Sequence, residues 1–199
     1  MNTHVNTLEV DAMRAVYSPT LAGLAAIRQT DVNIAIWQRS LSPTITSYVQ
    51  HCLTQQVWPG LELTSAVAML PERLRQALPT EWGCADFVSD VVQLAEAMAE
   101  VSACQQVSVR LVRLDDTMCP RFHADNNSCR LLCTYAGVGT EWLPDGEPES
   151  AAAIQHLARG DVAICKGIQW VEQPEQALVH RSPPVAAGEQ RLLLRIDRS

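Results

Sequence analysis

Gln105-Gln106-Val107-Ser108-Val109-Arg110-Leu111-Val112-Arg113-Leu114 is where the apolar period of this chain changes. Ahead of it, Asp86 to Ala103 places Phe87, Val91, Leu94, Ala95, Met98 and Val101 at helical spacing, with Asp86 as the expected N-cap. Inside it, Val107, Val109, Leu111 and Leu114 are set against Ser108, Arg110 and Arg113, which is strand patterning. Strand-like segments follow at 119–124, 129–136, 139–143, 161–166, 177–181 and 190–197. Gly137, Gly139, Pro144-Asp145-Gly146, Gly160-Asp161 and Gly188 punctuate them. Roughly seven or eight short strands at this spacing predict a sandwich or jelly roll.

Upstream, residues 1–20 read as a loose leader with turn chemistry at Ser18-Pro19. Val32 to Trp37 alternates as a short strand. Ser42 caps a helix that opens on Pro43 and runs to about Gln56, with Ile45, Tyr48, Val49 and Cys52 on one face. Trp58-Pro59-Gly60 breaks it. Leu61 to Leu70 reads as strand then helix, and Pro71 to Leu78 as a short helix ended by Pro79. Ala151-Ala152-Ala153 opens a short helix or a turn. The expectation is a single α+β domain over 1–199. Its mainly helical part, 1–104, packs outside a jelly-roll core at 105–199, a double-stranded β-helix of cupin-like type.

Composition narrows the function classes. The chain of 199 residues is 47% hydrophobic and 19% charged, which suits a globular core. Net charge is −7 and the basic residues are scattered, so a nucleic-acid partner is not expected. No apolar run reaches membrane-spanning length, and the start of the chain lacks a signal-peptide pattern. The seven cysteines are an odd number, and several sit in apolar runs as buried free thiols do. A reducing bacterial cytoplasm is the expected setting.

The chemistry-bearing stretch is Cys119-Pro120-Arg121-Phe122-His123-Ala124-Asp125, read with Val179-His180-Arg181-Ser182-Pro183. In an extended segment His123 and Asp125 point the same way. With His180 from another strand they make two imidazoles and one carboxylate, the set that holds non-haem iron(II) on one face and leaves the other open. Zinc accepts the same ligands and is the alternative. The bland reading is three unrelated polar residues at strand ends. A competing zinc site would use Cys119, Cys129 and Cys133 with His123, although Cys129 and Cys133 would stand roughly 13 Å apart along a strand. Asp115-Asp116 reads as a turn rather than an acid–base pair.

The order of these words resembles the 2-oxoglutarate-dependent oxygenases over roughly residues 105–197, in particular their prolyl-hydroxylase branch. There, too, a His-x-Asp strand end precedes an apolar strand ending in Tyr, here Cys129 to Tyr135, and a distal His precedes a basic residue, here Arg191. The link from Asp125 to Arg130 is shorter than that branch usually has. The chain also resembles, over nearly its whole length, an uncharacterised bacterial family, domain of unknown function 1826. The words that carry this are Trp37-Gln38-Arg39, Arg110 to Leu114, the Cys-Pro-Arg-Phe-His-x-Asp segment, Thr134-Tyr135-Ala136-Gly137, Gly139-Thr140-Glu141-Trp142 and His180-Arg181-Ser182-Pro183.

The oxygenase resemblance implies that His123, Asp125 and His180 bind iron(II), and that Arg191 grips the far carboxylate of 2-oxoglutarate as co-substrate. Tyr135 is a candidate second donor to that carboxylate, or a buried aromatic with a satisfied hydroxyl. Arg130 is a candidate partner for an acid. Arg195 shares a strand face with Arg191 but lies about 13 Å along it, too far to meet the same carboxylate. The implied activity is hydroxylase-type oxidation of an unknown substrate, small molecule or protein. The rival readings are a metal-holding protein without turnover and a metalloenzyme that uses no oxo-acid. The sequence carries no signal for oligomeric state.

Overall fold

The computed structural model describes residues 14–54, 60–145, 147–170 and 177–199. Ten strands and three α-helices make up the regular structure among them. The strands are β1 (Arg14–Ser18), β2 (Val32–Trp37), β3 (Gly60–Ala66), β4 (Gln106–Leu114), β5 (Cys129–Ala136), β6 (Glu141–Leu143), β7 (Gln155–His156), β8 (Val162–Lys166), β9 (Val179–Arg181) and β10 (Arg191–Arg198). The helices are α1 (Pro43–Thr54), α2 (Leu70–Ala77) and α3 (Cys84–Ser102). A 3-10 helix, Leu21–Arg28, joins β1 to β2.

Seven strands form one sheet in the order β1-β2-β8-β5-β10-β4-β3, and three form a second in the order β7-β6-β9. The arrangement is an α+β jelly roll whose barrel is not closed. The two central strands, β5 and β10, are buried on both faces, which is why Leu131-Leu132-Cys133 and Leu192-Leu193-Leu194 are unbroken apolar runs. One face, with Leu131, Cys133, Tyr135, Leu192, Leu194 and Ile196, packs under the helices. The other, with Leu132 and Leu193, meets Trp142, Leu157 and Leu178 from the small-sheet side. The candidate site lies on this second face.

Local chemistry sets the helix starts. Ser42 caps α1 as expected, its Oγ accepting from Ile45 N at 3.2 Å. Asp86 does not cap α3. The helix begins two residues earlier, with Gly83 before it at φ 89°, and Asp86 falls in the first turn. A Cβ on Gly83 would sit 2.9 Å from Thr44 O, so glycine is required for α3 to start against α1. α1 is described as far as Thr54; residues 55–59, including the expected Trp58-Pro59 break, lie outside the described residues.

Several expectations are corrected by pairing between distant segments. Residues 14–18 are not leader but edge strand β1, parallel to β2, while 1–13 lie outside the described residues. The first part of the chain is not only helical: β1, β2 and β3 supply three of the seven strands of the large sheet. Residues 105–199 therefore do not form the barrel by themselves. No strand forms over 119–124. Only an isolated bridge joins His123 to His180, in a stretch where Pro120 has no N–H to give a ladder. Ala151-Ala152-Ala153 is a turn, followed by the unforeseen two-residue β7.

The Trp37-Gln38-Arg39 word is structural. Arg39 leaves β2, grips both carboxylate oxygens of Asp90 on α3, and donates from Nε to Gly160 O at 2.9 Å. Tyr135 OH donates to the same Asp90 at 2.5 Å, and the Arg39 guanidinium stacks 4.7 Å over the Trp37 ring. This pair is nearly buried, at 11% and 9% side-chain exposure, so removing one partner strands the other charge. Asp90→Ala is expected to lower unfolding stability by about 3–5 kcal/mol. Asp31→Ala, which breaks the exposed Arg14 pair, is expected to leave stability nearly unchanged. Urea denaturation of the two variants checks the difference.

Candidate metal centre

His123 and His180 face each other across the isolated bridge, each backbone N–H donating to the other's carbonyl at 3.0 Å. That pairing puts both imidazoles on one side, with ring centroids 5.0 Å apart. Asp125 lies two residues on. Its carboxylate oxygens stand 3.9 Å from His123 Nε2 and 3.4 Å from His180 Nε2. One donor atom from each of the three falls within 4.8 Å of the others. An ion bound at about 2.1 Å by each ligand needs donors about 3–3.5 Å apart, so a small contraction brings all three onto one ion.

The protonation states suit this. His123 Nδ1 lies 3.0 Å from Arg121 O, which fixes Nδ1 as the donor and leaves Nε2 as the free lone pair. Burial pushes the His180 pKa below the usual imidazole value. Asp125 opposes that shift and His123 adds to it, so the ring is neutral at neutral pH. Asp125 Oδ2 is buried and accepts no hydrogen bond, which is costly unless a cation takes the lone pair.

Asp125 is held from three sides. Arg130, on the site face of β5, bonds Asp125 Oδ1 and also donates to Asp197 of β10 at 2.7 and 3.2 Å. Asn127 Nδ2 donates to Asp197 at 3.0 Å. The Asp125 carbonyl accepts from Ile168 N at 2.9 Å in the turn after β8. That turn comes so close that a Cβ on Gly167 would stand 2.3 Å from Asn127 O and 2.8 Å from Asp125 O. Arg130 thus has acid partners, as its candidate reading held. Asp197 and Gly167 were missed, because only the β5–β10 register and the closeness of the β8 turn give them a role.

Arg191 opens β10 and is 1% exposed. Its Nε donates to Val138 O at 2.6 Å, while Nη1 and Nη2 are buried with no hydrogen-bond partner. Burial lowers its pKa and the Glu141 carboxylate works against that. Gly137, at φ 78°, cradles the side chain: a Cβ there would meet Arg191 Cγ at 2.6 Å. Arg195 stands on the same strand face and lines the cleft of about 50 Å3 beside His123 and His180, together with Cys119, Arg130 and Thr140.

Two sequence candidates fall away. Tyr135 occupies the opposite face of β5. It packs against Phe87 of α3 with centroids 4.8 Å apart and donates to Asp90, so it does not reach the site. The strand period of two decides this, since Tyr135 shares its face with Cys133 rather than with Arg130. For the same reason no cysteine zinc site forms. Cys129 and Cys133 are buried under the helices with their thiol pKa pushed up to about 11 and about 12, whereas Cys119 lines the cleft. Asp115 and Asp116 lie in an exposed bend.

The geometry yields two tests. His123→Ala or His180→Ala is expected to abolish tight divalent metal binding, and His156→Ala, on an exposed side chain beside Glu141, to leave it intact. Elemental analysis of dialysed protein measures this, and unchanged metal content in the first two would remove the site. Gly167→Ala is expected to displace the 125–127 loop and weaken metal affinity about tenfold, in the range seen when groups that orient ligands are disturbed.

No curated protein matches this sequence. Solved structures do match in fold. The auxin-oxidation dioxygenase 1 of Arabidopsis thaliana, in binary complex with 2-oxoglutarate, aligns with a TM-score of 0.55 at 10% identity, over 92% of this chain and 91% of that one. A prolyl-4-hydroxylase of Pseudomonas putida aligns with a TM-score of 0.53 at 12% identity, over 91% of this chain and 100% of that one. T7H of Neurospora crassa, in complex with alpha-KG and 5-formyluracil, aligns with a TM-score of 0.54 at 10% identity, over 96% and 86%. At these identities the likeness is one of fold. In sequence, the family described as "Protein of unknown function (DUF1826)" matches residues 18–197, nearly the whole length, and this chain belongs to it.

Proposed function

We propose that this protein is an iron(II)- and 2-oxoglutarate-dependent oxygenase of hydroxylase type. His123, Asp125 and His180 would hold the metal, and Arg191 the far carboxylate of the oxo-acid. The fold likeness to 2-oxoglutarate-binding proteins supports the class. The observation that carries the co-substrate is the Arg191 guanidinium, buried with two unpartnered nitrogens on the site face of β10. A buried guanidinium with two unsatisfied nitrogens is unfavourable, and a carboxylate gripped through two parallel hydrogen bonds relieves it.

When bound, iron(II) and 2-oxoglutarate together supply dioxygen activation and oxidation of a substrate C–H bond, with decarboxylation of the oxo-acid. The chain's own residues do the rest. The two imidazoles of His123 and His180 and the Asp125 carboxylate would hold the ion. Arg130 keeps Asp125 oriented and balances its charge when no ion is bound. The Val138 carbonyl fixes Arg191 through Nε, so Nη1 and Nη2 remain for the ligand. Leu132 and Leu193 line the cleft and pack with Trp142 and Leu157 in one apolar cluster that keeps water from its buried end.

A second reading is a metal-holding protein, with iron or zinc, that takes no oxo-acid. The size of the cleft favours it, because about 50 Å3 accommodates an ion and a water or two. Anaerobic titration separates the readings. A weak visible charge-transfer band is expected only when iron(II) and 2-oxoglutarate are both present, and its absence favours the second reading. In calorimetry on metal-loaded protein, Arg191→Ala is expected to weaken 2-oxoglutarate binding by at least about tenfold. Arg191→Lys is expected to weaken it less, since Lys keeps the charge but loses the fork.

A further inference from the structure

The oxygenase reading leaves one cation in the cleft without a task. Along β10, Arg191, Leu193 and Arg195 share the site face, and Leu193 and Arg195 line the cleft with His123 and His180. The acids near Arg195 are already engaged. Asp197 Oδ1 accepts from Arg130 Nε at 2.7 Å and from Asn127 Nδ2 at 3.0 Å, and Asp197 Oδ2 accepts from Arg130 Nη2 at 3.2 Å. Asp125 is bonded to Arg130 and faces the two imidazoles. Arg195 Nε is 3.3 Å from Asp197 Oδ2, but it is buried and makes no hydrogen bond there. Across the ladder stands a further cation, Arg110, which pairs outward with Glu62 at 2.9 Å.

Arg130 and Arg195 are matched in number by two carboxylates, Asp125 and Asp197, and both carboxylates are already bonded to Arg130. A divalent ion would add two positive charges, of which the near carboxylate of the oxo-acid would offset one. Arg195 is 22% exposed in its side chain, whereas Arg191, about 13 Å along the strand, is sealed. A ligand carboxylate that reaches Arg195 comes from the open side of the cleft.

We propose that Arg195 binds a carboxylate on the substrate beside the metal, so that the substrate of this protein is an anionic, carboxylate-bearing molecule. This rests on the oxygenase reading above. The near carboxylate of the oxo-acid has the same chemistry, so the test must tell the two apart.

The experiment uses anaerobic protein loaded with Mn(II) and saturated with 2-oxoglutarate, with acetate and acetamide as probes. Relaxation of their methyl protons by the paramagnetic ion reports residence beside the metal. Wild-type protein is expected to relax acetate about tenfold more than acetamide, the selectivity of one charged hydrogen-bonded contact. Arg195→Met and Arg195→Gln are expected to lose that preference while binding 2-oxoglutarate within about twofold of wild type by calorimetry. The second variant keeps polar bulk should the first fail to fold. Equal relaxation of both probes in wild type overturns the proposal. So does a preference that survives in the variants. A large fall in 2-oxoglutarate affinity with acetate preference retained assigns Arg195 to the oxo-acid instead and also overturns it. Failure of wild type to bind 2-oxoglutarate at all overturns the oxygenase reading and this inference with it, and calorimetry shows that before any probe is added.

Discussion

The site depends on the Arg130 clamp. A carboxylate that is to serve a metal must be dry enough to bind tightly and still be held in place without one. Asp125 is nearly buried, and left alone its charge would go uncompensated and its side chain would swing to solvent. Arg130 prevents both by bonding Asp125 on one side and Asp197 on the other. Because Arg130 projects from β5 and Asp197 from β10, the carboxylate is fixed to the two central strands of the large sheet. The loop that carries it contributes little of its own, having neither ladder nor helix.

The same two strands divide the labour of the protein. Their odd and even residues point to opposite faces, and both faces are dry. One face takes the helices and is locked by the Arg39–Asp90–Tyr135 group, which explains buried polar residues far from the site. The other carries Arg130, Arg191 and Arg195. Three guanidinium groups on one inner face would repel one another and favour unfolding. They are tolerated because each is handled differently: Arg130 by two acids, Arg191 by one carbonyl in a glycine cradle, and Arg195 by partial exposure. Arg191 is sealed at one end of β10, while Arg195, further along the same face, is partly exposed.

Much of this was legible in the sequence. The change of period at Gln105, the apolar runs of β5 and β10, the Ser42 cap and the His-x-Asp and His180 words are local patterns, and local patterns follow from backbone geometry that one segment sets alone. The family words carried the three candidate ligands and Arg191. Other features required contacts between segments distant in the chain. β1 is a strand only because β2 offers it an edge, and 119–124 is not one because Pro120 and the short facing strand deny it a ladder.

What the sequence by itself determined is the α+β class, the order of most strands, and the residue types able to hold an ion and an anion. Only the tertiary structure decided which side of β5 faces the site, because a strand's alternation gives two faces and no label for either. That choice removed Tyr135, scattered the cysteines, and placed Arg195 beside the imidazoles. It was set by burial: the face with Tyr135 and Cys133 is the one that α3 covers, and the remaining face, with its charged residues, was left to line the cleft.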